Sequence, residues 1–247
     1  VSPADGTRPA PTATGHARSG PAAPLVEARG VVLSFGATPA LRGADLAVAP
    51  GEILAVMGPS GSGKSTLLHC LAGILTPDSG EVHYAGRRLD TMPEARRSTL
   101  RRDEFGFVFQ FGQLVPELTA EENVALPLLL GGTRRAPALA AARLWLERMG
   151  LDGLGTRRSG ELSGGQAQRV ALARALVAEP RVVFADEPTG SLDSLTGEQV
   201  MDLLVGTARR LGTTVVLVTH EPRVAAYADR EVVVRDGRVT SLQPAAS

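Results

Sequence analysis

The stretch Gly58-Pro59-Ser60-Gly61-Ser62-Gly63-Lys64-Ser65-Thr66 restricts what this chain can fold into more than any other. It follows Ile53–Met57, a short, wholly apolar run of the kind a parallel sheet buries on both faces. It opens Lys64–Ala72, where apolar residues recur at helical spacing. Strand, glycine-rich turn and helix form the context in which this spacing cradles phosphate. The glycines let backbone N–H groups turn inward, and the helix start adds its positive dipole end. Lys64 then reaches β- and γ-phosphates, and the Ser65 hydroxyl is a ligand for Mg²⁺. The competing reading is an ordinary Gly/Ser turn. Composition weighs against it: of 26 basic residues only Lys64 is a lysine, so a chain that elsewhere uses arginine keeps a compact ammonium here.

The rest of the chain repeats the strand–helix alternation. Leu25–Phe35 and Ala44–Ala49 read as strands, the second closed by Pro50-Gly51. Phe105–Phe109, Val182–Ala185 and Thr213–Val218 read as buried strands. Thr119 and Glu122 fit a capping box, Ala136–Met149 a helix stopped by Gly150, Ser163 the start of a helix running to about Ala178, and Ser194–Leu211 a helix stopped by Gly212. Asp236-Gly237 between Val232–Val234 and Arg238–Thr240 marks a hairpin. This order predicts an α/β domain over 25–247 with a mostly parallel central sheet, and a helical insertion over about 111–180. Residues 1–24, rich in Pro, Ala, Gly, Thr and Ser, read as a disordered tail without the apolar core of a signal peptide.

Two further motifs carry chemistry. Val182-Val183-Phe184-Ala185-Asp186-Glu187 is an apolar strand ending in two carboxylates. Asp186 is placed to hold a Mg²⁺ shell and Glu187 to polarise a water as general base; a solvated acidic pair is the alternative. Leu162-Ser163-Gly164-Gly165-Gln166 sets a Ser N-cap and two residues without side chains at a second helix start, where bare N–H groups meet an anion. A routine cap needs only Ser163.

With these motifs the chain resembles the ATP-binding subunits of ABC transporters, over about residues 25–242. Gln110 resembles the family's Q-loop glutamine, Ser191-Leu192-Asp193 its D-loop and His220 its switch histidine. Phe35 lies where the family places an aromatic on adenine, although a phenylalanine at a strand end also suits a core. Gln110-Phe111-Gly112-Gln113-Leu114-Val115-Pro116 and Ala185-Asp186-Glu187-Pro188-Thr189-Gly190 are most similar to the macrolide-export and lipoprotein-release branch, as is Leu192-Asp193-Ser194-Leu195-Thr196-Gly197. Ser159 departs from that branch, which has proline there. The resemblance implies the P-loop NTPase, ABC-ATPase fold, with antiparallel N-terminal strands beside the parallel core sheet. It implies ATP and Mg²⁺, with Gln110 joining Ser65 and Asp186 at the metal and joining Glu187 and His220 in hydrolysis. It also implies a homodimer in which Ser163, Gly164, Gly165 and Gln166 of one copy cover the phosphate held by Lys64 of the other, and a separate transmembrane permease that holds this chain at the cytoplasmic face of the membrane.

Composition bounds the alternatives. Lys+Arg and Asp+Glu both total 26, which argues against a dedicated nucleic-acid binder. One cysteine, Cys70, excludes an intramolecular disulfide; it reads as a small buried residue, and Trp145 as core. The longest run without Asp, Glu, Lys or Arg, Ser65–Pro77, is shorter than the ~20 residues of a membrane span, so the permease is a second chain. A kinase or GTPase is disfavoured by the Ser163 motif. A soluble two-cassette or coiled-coil ATPase is disfavoured by the roughly 120 residues between Lys64 and Asp186. A regulatory ATPase that signals through a membrane partner without cargo stays open beside a transporter.

Overall fold

A computed structural model describes residues 23–110 and 112–241, so most of the tail expected at 1–24 lies outside the described residues. Chain order is β1 (Val26–Phe35), β2 (Thr38–Val48), β3 (Ile53–Met57), α1 (Lys64–Leu71), β4 (Ser79–Tyr84), β5 (Arg87–Arg88), α2 (Glu94–Glu104) and β6 (Phe105–Phe109). There follow α3 (Ala120–Leu130), α4 (Arg135–Arg148), a 3₁₀ turn (Ser159–Glu161), α5 (Gly164–Leu176), β7 (Val182–Asp186), α6 (Ser194–Leu211), β8 (Thr214–Val218), α7 (Pro222–Ala225), β9 (Arg230–Arg235) and β10 (Arg238–Ser241).

The strands form an antiparallel sheet, β2-β1-β4-β5, and a six-stranded sheet, β10-β9-β3-β8-β7-β6. In the second sheet only the β9–β10 hairpin is antiparallel. Its central strands run apolar over Ile53–Met57, residues 182–185 and residues 215–218 because both faces are covered there. Leu54, Val56, Phe184, Val216 and Val218 face α1 and the antiparallel sheet, in one cluster with Leu67, Leu71 and Val31. Ile53, Val183, Ala185, Val215 and Leu217 face the other way, in one cluster with Val124, Trp145, Leu172 and Leu204. The helices expected in the insertion therefore share a continuous core with one face of the sheet. Trp145 lies there and Cys70 in the opposite cluster, as expected of both. Burial pushes the Cys70 thiol up to about 12, so it stays protonated.

Several elements differ from expectation. β2 starts at Thr38, because pairing with β1 carries the strand through polar positions that alternation does not mark. β4, β5 and α2 had no counterpart in the sequence reading. Only Leu100 of α2 is buried; the helix is stitched instead by Glu94, which accepts from Arg97, Ser98 and Arg101. A helix held by ion pairs leaves no apolar period to read. α5 ends at Leu176, ahead of the expected stop near Ala178.

Candidate functional site

Register gathers the site. Val56 pairs with Val218, Val218 with Asp186, and Asp186 with Phe109, so four adjacent strands end together. The residues after those ends are Gly58, His220 (one beyond Thr219), Glu187 and Gln110. The carboxyl edge of a parallel sheet is where open α/β folds place their ligands.

At two glycines of the loop the neighbouring backbone leaves no room for a side chain. A Cβ on Gly58 would lie 2.2 Å from the Val234 carbonyl oxygen, and one on Gly63 would lie 2.5 Å from that of Ala40; both have positive φ. Lys64 is 7% exposed, and its Nζ donates to the carbonyls of Gly58 (2.9 Å) and Pro59 (3.0 Å). The ammonium is thus folded back across its own loop on two neutral acceptors. Ser65 Oγ donates to Asp186 Oδ1 at 3.0 Å, which puts two hard oxygen donors side by side. Burial raises the Asp186 carboxyl above its ordinary value, against the lowering effect of the Ser65 hydroxyl. The loop, the ammonium and the paired oxygens fit a nucleotide phosphate with its metal.

Glu187 adopts φ +48, rare for a residue with a side chain, while its N–H donates to the Val218 carbonyl at 2.9 Å. His220 Nδ1 lies 2.8 Å from Glu187 Oε1. Gln110 is hemmed in by the loop after Glu187. Its carbonyl accepts from Ser191 Oγ at 2.8 Å, and a Cβ on Gly190 would lie 2.9 Å from its Nε2. Phe35 is 56% exposed, so the core reading of that ring is wrong.

The second helix start is built as a capping box. Ser163 Oγ accepts from the Gln166 N–H at 3.3 Å, and Gln166 Oε1 accepts from the Ser163 N–H at 2.9 Å. The Gln166 side chain is therefore committed to the cap. Ser163 and Gly164 are exposed. Among the described residues no hydrogen bond joins Ser163–Gln166 to Gly58–Thr66.

The family profile of ABC transporters matches residues 41–190, more than half of the chain. The chain belongs to the ABC transporter family. It is an ATP-binding, ATP-hydrolysing subunit of such a transporter. It is 48% identical over 205 residues to the lipoprotein-releasing system ATP-binding protein LolD of Shewanella sp. (strain MR-4), covering 83% of this chain and 89% of that one. It is 47% identical over 201 residues to LolD of Geobacter metallireducens, covering 81% and 89%. Among solved structures it matches the dimeric post-hydrolysis state of the ATP-binding cassette MJ0796 bound to ADP and Pi, with TM-score 0.81, 37% identity and coverage of 88% of this chain and 99% of that one. No helix among the described residues is long and apolar enough to cross a membrane.

Sequence reasoning missed Gln168 and Arg174, the side chains of α5 that reach the Gln110 loop. No local signal marks them, because the same helix also carries Gln166 and Arg169. Ser191 was noted only for its motif, without its contact to Gln110.

Proposed function

We propose that this chain powers a lipoprotein-releasing or closely related exporter-type permease, hydrolysing ATP in composite sites made head to tail by two copies. The observation that carries the site is the gathering of Lys64, Ser65–Asp186, Glu187–His220 and Gln110 at one sheet edge, apart from an exposed second anion-binding helix start at Ser163. One chain has two such helix starts and one lysine. A second copy resolves the mismatch by bringing its Ser163, Gly164 and Gly165 over the phosphate. The dimeric cassette among the matched structures supports this pairing, and the LolD relatives support the cargo class.

In this reading the amides of the Gly58–Thr66 loop bind the phosphates, and Lys64 exchanges its two carbonyl acceptors for phosphate oxygens. Ser65, Asp186 and the Gln110 carboxamide would hold Mg²⁺, which would supply charge to neutralise the phosphate oxygens. Glu187 takes the proton of the attacking water, and His220 fixes the carboxylate that receives it. Phe35 offers a flat exposed face to the adenine. Gln166 serves the site by shaping the Ser163 cap.

The permease seat is a groove of about 450 Å³ lined by Ile74, Phe107, Phe109, Pro127, Leu130 and Arg174, between β6 and α3. Ile74 and Leu130 are exposed there. Phe109 immediately precedes Gln110, so a segment seated in the groove touches the strand that carries the site. The groove lies where the helical insertion expected at about 111–180 meets the sheet. The chain then works at the cytoplasmic face of the membrane, held by its partner.

Copurification from membranes tests this reading. We expect an untagged polytopic protein, identified by mass spectrometry, that raises ATP turnover and, in proteoliposomes, releases an acylated protein on Mg-ATP. A partner that moves no acylated protein would remove the cargo assignment.

A further inference from the structure

Two side chains of α5 hold the loop after β6. Gln168, fully buried, donates from Nε2 to the Phe109 carbonyl at 2.9 Å, one residue before Gln110. Arg174 donates to the Gly112 carbonyl at 2.7 Å and the Gln113 carbonyl at 2.9 Å, just beyond it. Gly112 and Gln113 have φ of +67 and +45, which turns consecutive carbonyls toward the helix. The approach is close: a Cβ on Gly112 would lie 3.3 Å from both the Ala167 carbonyl oxygen and Gln168 Oε1.

Arg174 is half-buried where it stands. Burial lowers its pKa, and no carboxylate pairs with it among the described residues. A half-buried guanidinium held only by neutral carbonyls contributes little to stability compared with an apolar side chain of similar length. What the arginine adds is a two-pronged grip on a short loop. The same helix starts at Ser163, about 16 Å away at 1.5 Å per residue. Its other grip, Gln168, lies between those two points.

We propose that Gln168 and Arg174 are positioning residues that lock the Gln110 loop to the Ser163 helix, so that one chain moves its own metal-site contact and its cover for the partner's nucleotide as one body. This rests on the roles given above to Gln110 and Ser163. It also gives the groove a route to the site, because Arg174 lines the groove and holds the loop. Pressure from a seated partner reaches Gln110 through two hydrogen-bonded carbonyls.

The test uses the full chain with Arg174→Met, which keeps length and removes the donors, and Gln168→Met, which is near-isosteric. Three quantities are read: melting temperature, turnover, and the Mg²⁺ concentration that half-saturates binding of a fluorescent ATP analogue. A displacement of about 1 Å near reacting groups costs up to ~10²-fold in rate. We expect KM for ATP within about twofold of the parent, kcat lower by about tenfold or more, and the Mg²⁺ midpoint raised as it is in Gln110→Ala. Arg174→Lys, with one donor group in place of the fork, should fall between. Adding Arg174→Met to Gln110→Ala should cost nothing further, because both act through one side chain. If either methionine variant fails to fold, the other variant and Arg174→Lys carry the same comparison. A lowered melting temperature with kcat and Mg²⁺ midpoint unchanged, while Gln110→Ala shifts both, would overturn the positioning role and leave Gln110 in place. If Gln110→Ala itself shifts neither quantity, the assignment of Gln110 falls and this inference with it.

Discussion

Gly165→Ala probes how tightly the Ser163 helix start is fitted to its own chain. A Cβ at residue 165 would lie 2.3 Å from Thr196 Cγ2, the methyl of a β-branched side chain in the first turn of α6. Carbon atoms settle at about 3.5–4.0 Å, so the two helices must part by more than about 1 Å or Thr196 must leave its rotamer. Overpacking of this kind costs about 1–3 kcal/mol. Alanine returns part of this through its higher helix propensity, at most about 1 kcal/mol over glycine. The 2.3 Å approach puts the cost in the upper half of that range, about 2–3 kcal/mol, so the net loss is about 1–2 kcal/mol, which for a chain of this size lowers the melting temperature by roughly 2–8 °C. Thr196→Ser deletes the clashing methyl, so Gly165→Ala with Thr196→Ser should recover most of that loss. ATP binding by the monomer should be unchanged throughout, because Lys64 belongs to the other anion-binding helix start. Calorimetry of the four proteins measures the cycle. A Gly165→Ala protein that melts with the parent, or a double variant that melts with Gly165→Ala, would refute the packing argument.

Other expectations follow from the site. Lys64→Ala should lose nucleotide binding in a fluorescence titration, and Lys64→Arg should not restore it, because a planar fork cannot replace a compact ammonium folded onto two carbonyls. Asp186 has its carboxyl raised by burial, so the folded chain holds that proton more tightly than the unfolded one and loses stability as pH rises from 3.8 through the folded value. Nucleotide-free Asp186→Asn should therefore melt above the parent at pH 7, with the gap narrowing toward pH 4, while the stabilisation that Mg-ATP gives the parent is lost. A variant that melts below the parent at pH 7 would contradict the burial argument.

What the sequence made legible follows from where burial occurs. Ile53–Met57, residues 182–185 and residues 215–218 are apolar throughout because helices or a second sheet cover both faces, and such runs stand out. The caps at Thr119 and Ser163 were readable because each is a local exchange between a residue and the one three positions on. The charged helix α2 was not, since Glu94 and its arginines bind one another and bury little. Nor was the grip of Gln168 and Arg174 on the Gln110 loop, which joins residues about sixty positions apart. Motif spacing marks which residues meet a ligand. It is silent on the buried polar contacts that aim them.

The head-to-tail site is tested most directly by size-exclusion with light scattering on concentrated Glu187→Gln protein, with and without Mg-ATP. Removing a general base costs about 10²–10⁴ in rate, so bound ATP should persist and hold two copies together. Adding Ser163→Arg puts bulk and positive charge where an exposed, neutral helix start must cover phosphate. We expect Glu187→Gln at twice the chain mass only with Mg-ATP, and the double variant at the monomer mass with ATP still bound through Lys64. A double variant that dimerises on ATP as Glu187→Gln does would contradict the composite site.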